Sequence, residues 1–312
     1  MKSLAEYIME KQGIFNGCED IANEMTLQFV QTIKNTKSNY RCKFIFDASK
    51  YNPIFRDDIV VNIEFEKPKN DKYKILSNTS IDIDKINNYI MTGTLWLSVE
   101  EIENIKRKPY SINLSVSPET IDLYDVKAIL MHELTHFYTA IIFYDKGKNY
   151  FNRPYYSPDD WDNKSEHLLY FIQQDEVNSW VVELKSELDK IKKTGFDSIL
   201  NKLKDNDKFK QIIEYKDDFN IEWSDFDFNK LKLDKYVELY REHIKNISKY
   251  EIYNITKKKI NNAYNQLYRT VIKMCNEYKG QPDFIENNFG YQYFDVHHYL
   301  PMFKQYRRTS VK

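Results

Sequence analysis

The feature that most constrains this 312-residue chain is the run Ala128-Ile129-Leu130-Met131-His132-Glu133-Leu134-Thr135-His136-Phe137. Around it Leu123, Val126, Leu130, Leu134, Phe137 and Ile141 recur at intervals of three and four, the stripe of a core-facing helix. At about 100° per residue, the two histidines fall roughly 140° from the centre of that stripe. They therefore point off the core, with small Ala128 and Ala140 to either side. Imidazoles four residues apart stand one turn above each other, so both can donate nitrogen to one ion. On a helix, H-E-x-x-H is the pattern that holds zinc through its histidines while the glutamate, here Glu133, works on the bound water. The frequencies of His and Glu give this pattern a chance occurrence on the order of one in a hundred for a chain of this size. The helix is predicted to begin near Thr120 or Asp122, where Asp122 is a good cap, and to run to about Tyr144, with Gly147 as a stop.

Composition excludes several other function classes. With 46 basic and 47 acidic residues the net charge is −1, so no polyelectrolyte partner is announced and nucleic acid is not favoured as a ligand. The 25 Tyr, 19 Phe and 4 Trp carry more apolar surface than a disordered chain does, and a folded core is expected. Cys18, Cys42 and Cys275 are odd in number, far apart and without a C-x-x-C, which argues against a disulfide framework and against a thiolate zinc site. Charges return at Glu10 and Lys11, too soon for the apolar core of a signal peptide, and no apolar run reaches membrane-spanning length. A cytoplasmic location without membrane association is the expectation.

Along the chain, Ser3 to Glu10 and Glu19 to Ile33 read as two short amphipathic helices broken by Gly13 and Gly17. Strand patterns follow at Phe44-Ile45-Phe46, Ile59 to Phe65, Thr94 to Ser98 and Ser111 to Val116. The connection from Asp145 to Lys164 is rich in aromatics and long enough to suggest a functional loop. A helix is predicted from Ser165 to about Lys193, and beyond Gly195 helical patterns run over Asn229 to Ile247 and Thr256 to Tyr278. The segments expected are a helical stretch over 1–40, a catalytic domain over 41–195, a helical subdomain over 196–290 and a tail over 291–312.

A catalytic zinc takes three protein ligands and keeps a fourth position for water, so the third ligand sets the subclass. Metzincins continue as H-E-x-x-H-x-x-G-x-x-H, but Thr139 and Ile142 occupy the glycine and last histidine places here. Glu176 is the preferred third ligand: on a helical projection it shares a face with Leu169, Ile172 and Ser179, and a carboxylate among apolar neighbours needs a cation. Asp175, Glu166 and His167 are the competitors. Glu183, two turns on, is a candidate to orient a ligand histidine through its other ring nitrogen.

His132 to His136 followed by Glu176-x-Asn178-x-Trp180-Val181-Val182-Glu183-Leu184 resembles the E-A-N-x-F-A-A-x-L pattern of ImmA/IrrE-type metallopeptidases, within the gluzincins. Glu176 and Ser179 are also similar to the N-E-x-x-S-D ligand helix of thermolysin-like enzymes, with Trp180 where that pattern has aspartate. The resemblance spans roughly Ile112 to Leu184. It implies an α+β, zincin-like fold: a small twisted, mostly antiparallel sheet, an active-site helix and a ligand helix, here followed by a mainly helical C-terminal part. It further implies a zinc-dependent peptide hydrolase acting on a peptide or protein, with one regulatory protein as substrate in the ImmA-like case. Glu133 is then the general base, and Tyr155, Tyr156, His297 or His298 are candidate oxyanion donors, with His243 as a weaker one. In zincins an edge strand binds the substrate backbone, a role open to Ile112 to Val116 or Thr94 to Ser98. The competing expectation is a non-enzymatic helical interaction or virion-type structural protein with a vestigial or structural metal site.

Overall fold

The computed structural model describes residues 4–36, 41–52, 55, 58–65, 79–83, 110–116, 120–145, 162–190, 196–233, 235–277, 284–295 and 299. The fold is α+β and predominantly helical. Two compact units are formed, one from Met1–Tyr150 with Gln281–Lys312 and the other from Phe151–Gly280.

The first unit opens with helix α1 (Leu4–Asn35), a single helix where two were expected. Gly13 and Gly17 lie inside it: a glycine costs a helix interior about 1 kcal/mol but leaves the hydrogen-bond ladder intact, so two of them do not end it. Its second half buries Ile21, Met25, Phe29 and Ile33, each worth about 1.5–3 kcal/mol of transfer free energy. Strands β1 (Arg41–Phe46), β2 (Ile59–Phe65), β3 (Thr79–Ile83) and β4 (Tyr110–Val116) form a sheet in the order β1-β2-β4-β3. The β1/β2 and β3/β4 pairs are antiparallel and β2/β4 is parallel. Register sets Phe44 opposite Val61, Val61 opposite Ile112 and Ile112 opposite Ile81. Period-two alternation decides the buried face: Phe44, Phe46, Ile59, Val61 and Ile63 are inside, while Ile45 between the two phenylalanines is 59% exposed.

Strand β4 is paired on both sides, so Ile112 to Val116 has no free edge with which to bind a substrate strand, contrary to one expectation. Among the described residues β1 and β3 are the edges, and Thr94 to Ser98 lies outside the described residues. Strand β5 (Thr120–Asp122) then leads into helix α2 (Leu123–Asp145), so Thr120 is extended and the helix begins just past Asp122. Helix α2 packs on α1, and Lys127 on α2 donates to Glu19 on α1 at 3.0 Å with its side chain 3% exposed. Losing one partner of a buried pair strands the other charge, a cost of about 3–5 kcal/mol when both are fully buried; Glu19 keeps some water, so Lys127→Ala is expected to cost about 2–3 kcal/mol in denaturant unfolding. Replacing both partners with apolar residues is expected to be close to neutral.

The second unit is helical: α3 (Lys164–Phe171), α4 (Gln174–Asp189), α5 (Phe196–Asp205), α6 (Asp207–Asp218), α7 (Tyr236–His243) and α8 (Lys249–Glu277). The helix expected from Ser165 to Lys193 is thus two helices. Asn163 caps the first by accepting from Ser165 N and Glu166 N, and Gln173, extended at φ −69° and ψ 129°, separates it from the second. The break has a packing reason. Leu168, Leu169, Phe171, Ile172, Val177, Trp180, Val181 and Val182 are all buried, too many to share one stripe of a straight helix.

Two further boundaries differ from expectation. Among the described residues of Asn229 to Ile247 only Tyr236–His243 is helical; Asp227 Oδ1 accepts from Asn229 N to make a turn, and Lys232 and Asn246 adopt φ of 58° and 63°. Helix α8 starts at Lys249, ahead of Thr256, because Ser248 and Glu251 form a capping box: Ser248 Oγ accepts from Glu251 N, and Glu251 Oε2 accepts from Ser248 N. The Ser248 hydroxyl, which donates to Glu251 Oε2 at 2.6 Å, and then the Ser248 N–H hold the Glu251 carboxyl below its ordinary value.

His167 sits in this unit's aromatic core, its ring 4.8 Å from that of Phe171 and its Nδ1 2.8 Å from Tyr215 Oη. Burial pushes the imidazole below its ordinary 6.5 and keeps it neutral. On acidification the unfolded chain takes up this proton first, so the stability it contributes is complete above 6.5 and is lost as pH falls through 6.5 toward the lower folded value. Urea midpoints of the second unit are expected to drop between about pH 7.5 and about pH 5.5, and less so in His167→Gln.

Helix α9 (Phe284–Phe289) and strand β6 (Tyr293–Asp295) return the chain to the first unit. Gly290, at φ 68°, supplies the left-handed turn that stops α9. Among the described residues no helix is long and apolar enough to cross a membrane.

Candidate metal centre

The N-terminus of α2 is fixed from two directions. Asp122 Oδ1 accepts from Tyr124 N at 2.9 Å, the cap read from the sequence. Its Oδ2 accepts from Gln292 Nε2 at 2.6 Å, and Leu123 N donates to Gln292 O at 2.9 Å. Strand β6 pairs antiparallel with β5 just ahead, Asp122 opposite Tyr293. The C-terminal segment thereby holds the start of the helix that carries the motif, a role that no pattern in residues 291–312 announced.

Between Ile121 and Tyr138 only Asp125, Ile129, His132 and His136 escape full burial. Their spacing of four, three and four puts them within about 60° of one another on the helix. The two histidines therefore lie on the open stripe of an otherwise buried helix. Glu133 falls about 60° round from His136, on the flank of that stripe, and is 6% exposed. Thr135, between the motif histidines, is buried and donates its hydroxyl to Met131 O at 2.7 Å.

The Nε2 atoms of His132 and His136 are 3.1 Å apart, with the ring planes inclined at 69°. Two nitrogens bound tetrahedrally to one zinc at 2.0–2.1 Å stand about 3.3 Å apart, so this pair needs little adjustment to share an ion. Glu176 occupies the first turn of α4, where the helix dipole favours a negative group, and is 1% exposed. Tyr170 Oη donates to its Oε2 at 2.6 Å. His132, His136 and Glu176 are a group of described residues whose ligand atoms could hold a metal ion. Two imidazoles and one carboxylate form a donor set of the kind zinc takes at sites that keep a position open for water.

No family model, curated protein or solved structure gives a significant match to this chain.

The other sequence candidates are distributed as follows. Glu183 on α4 accepts a hydrogen bond from the Lys208 ammonium, which also lies 5.8 Å from the centre of the Trp180 ring. His167 is in the aromatic core, and Glu166 is buried in α3. His243 is the last residue of α7. Tyr155, Tyr156, His297 and His298 lie outside the described residues. Burial pushes the Cys18 thiol up to about 12 and that of Cys42 up to about 11, and neither is in a disulfide, so both are thiols at neutral pH and poor metal ligands. Tyr170 was not read as a site residue. It precedes Glu176 by six positions, a spacing that brings no side chains together on a continuous helix.

Proposed function

We propose that this chain is a zinc-dependent metallopeptidase of the gluzincin type, with a zincin-like catalytic unit, in which His132, His136 and Glu176 hold the ion and Glu133 is the general base. The observation that carries the reading is the pair of Nε2 atoms of His132 and His136, 3.1 Å apart on the open stripe of a helix that also carries Glu133 between them. The sequence resemblance to ImmA/IrrE-type and thermolysin-like enzymes supports the same assignment and favours a peptide or protein as substrate.

A bound zinc supplies a polarised water and a Lewis acid for the scissile carbonyl. Glu133 accepts the water proton and later delivers it to the leaving amine. Its burial keeps bulk water from competing for that proton. The buried Glu176 carboxylate brings a negative charge that offsets part of the charge of a divalent cation, and its desolvation is relieved by that cation and by the Tyr170 hydroxyl. An extended substrate would add to β1 or β3, the edge strands of the four-stranded sheet among the described residues.

The test is metal-dependent cleavage. Protein reconstituted with one equivalent of zinc is expected to generate new N-termini in a proteome-derived peptide library or in intact cell extract, to lose that activity on chelation and to regain it with zinc. A zinc-replete protein that produces no new termini in either would favour the structural-protein reading.

A further inference from the structure

We infer that the surface formed by Ile221, Trp223 and Tyr250 in the second unit is a docking site for a basic segment of a partner protein, one that sets an arginine against Trp223 and Tyr250.

The sequence fixes the local charge. From Asp217 to Asn229 the chain has five acidic residues, Asp217, Asp218, Glu222, Asp225 and Asp227, and no basic one. Asp218 is paired with Lys164 at 2.6 Å, whereas Glu222, Asp225 and Asp227 are exposed around Trp223 in sequence. The whole-chain charge of −1 does not describe this surface, because fields between exposed charges are screened over about 8 Å at physiological ionic strength.

Beneath the surface lies an aromatic layer. After α6 the chain folds back on the first turns of α8, where Phe219, Phe226 and Tyr253 are buried together with ring centroids 4.7–5.8 Å apart. Tyr253 Oη donates to Ile221 O at 2.6 Å and pins the segment to α8. Trp223, at the start of a single helical turn, rests on this layer with its ring 5.4 Å from that of Tyr253. It meets Tyr250 edge-on, centroids 5.4 Å apart at 64°. Trp223 is half-buried, and beside it Tyr250 is 52% and Ile221 37% exposed. Rings held this way lose little conformational freedom on binding, which makes them good anchors.

Tryptophan and tyrosine carry a large share of binding energy at protein interfaces. Carboxylates beside them select a cation and repel anionic lipid and nucleic acid. A guanidinium meets both demands, since it stacks on aromatic rings and forks onto a carboxylate. The same cluster already holds a cation of its own: Lys257 Nζ lies 5.2 Å from the Tyr253 ring centre and donates to its Oη at 2.9 Å.

The experiment measures binding of labelled hexa-arginine, hexa-lysine and hexa-glutamate peptides to the full chain by fluorescence anisotropy at low and high salt. Hexa-arginine is expected to bind, more weakly at high salt, hexa-lysine several-fold less tightly, and hexa-glutamate not at all. Trp223→Ala and Tyr250→Ala are each expected to weaken hexa-arginine by about 5- to 30-fold. Tyr250 is largely exposed, so its truncation tests the surface even if Trp223→Ala disturbs the fold. Glu222→Gln with Asp225→Asn should weaken binding and flatten its salt dependence. Asp205→Asn with Asp207→Asn removes the same charge at exposed positions between α5 and α6 and should leave binding unchanged. The inference is overturned if hexa-arginine does not bind, if Tyr250→Ala binds it like the parent, or if the Asp205 and Asp207 pair weakens it as much as the Glu222 and Asp225 pair. Equal affinity for hexa-lysine would equally overturn the assignment of an arginine.

Discussion

Glu133→Gln is expected to remove peptide-bond cleavage while leaving the metal in place. The substitution is nearly isosteric, so the helix and its neighbours are kept, but a neutral carboxamide cannot accept a proton. General-base contributions are about 10²- to 10⁴-fold, and kcat/KM is expected to fall by at least that much. Glu133 is 6% exposed, which leaves little room for a water to take over as base. Zinc content should remain at one equivalent, because on the proposed reading Glu133 is not a ligand. The decisive measurement pairs kcat/KM with metal analysis on the same preparation. Retention of full activity would sink the mechanism, and loss of zinc together with activity would make Glu133 a ligand or a structural support.

His132→Ala is expected to abolish tight zinc binding and with it the stabilisation that zinc confers. At a free zinc concentration about 1,000 times the dissociation constant, binding stabilises a native state by about 4 kcal/mol. In a domain of this size that raises the melting temperature by roughly 8–16 °C. The variant should show almost none of this shift. Its metal-free form should melt near the parent, since His132 lies on the partly open stripe and its truncation leaves no large cavity; such surface changes cost about 0.5 kcal/mol. His136→Ala should behave alike, given that its Nε2 is 3.1 Å from that of His132. If zinc raised the melting temperature of His132→Ala as much as that of the parent, the ion would be bound elsewhere.

Much of what surrounds α2 was legible before any coordinates. The apolar stripe from Leu123 to Phe137 is buried, Asp122 is the cap, and the histidines stand on the open side, because 3.6-residue periodicity and capping act within a few residues. The strands Arg41–Phe46, Ile59–Phe65 and Tyr110–Val116 were similarly visible as alternating β-branched and aromatic runs. Strand order was not: nothing local says that Tyr110–Val116 is interior, and that placement removed its expected role as a substrate-binding edge.

The case of Glu176 is more instructive. A single helical face shared with Leu169, Ile172 and Ser179 led to it, yet Leu169 and Ile172 are on the far side of a break at Gln173. All four are buried nonetheless. The apolar neighbourhood predicted the burial of Glu176 while the assumed single helix was wrong, because burial reflects composition over a window and a helix break depends on how the flanking segments pack.

By itself the sequence determined the motif helix, its cap, its buried stripe and the outward face of His132 and His136, all consequences of local backbone geometry and hydrophobic periodicity. The tertiary structure decided what joins them. It put the Tyr170 hydroxyl on the Glu176 carboxylate across a break between two helices and tied Gln292 to Asp122. Those contacts depend on chain reversals and packing between segments distant in sequence, where no periodicity reaches.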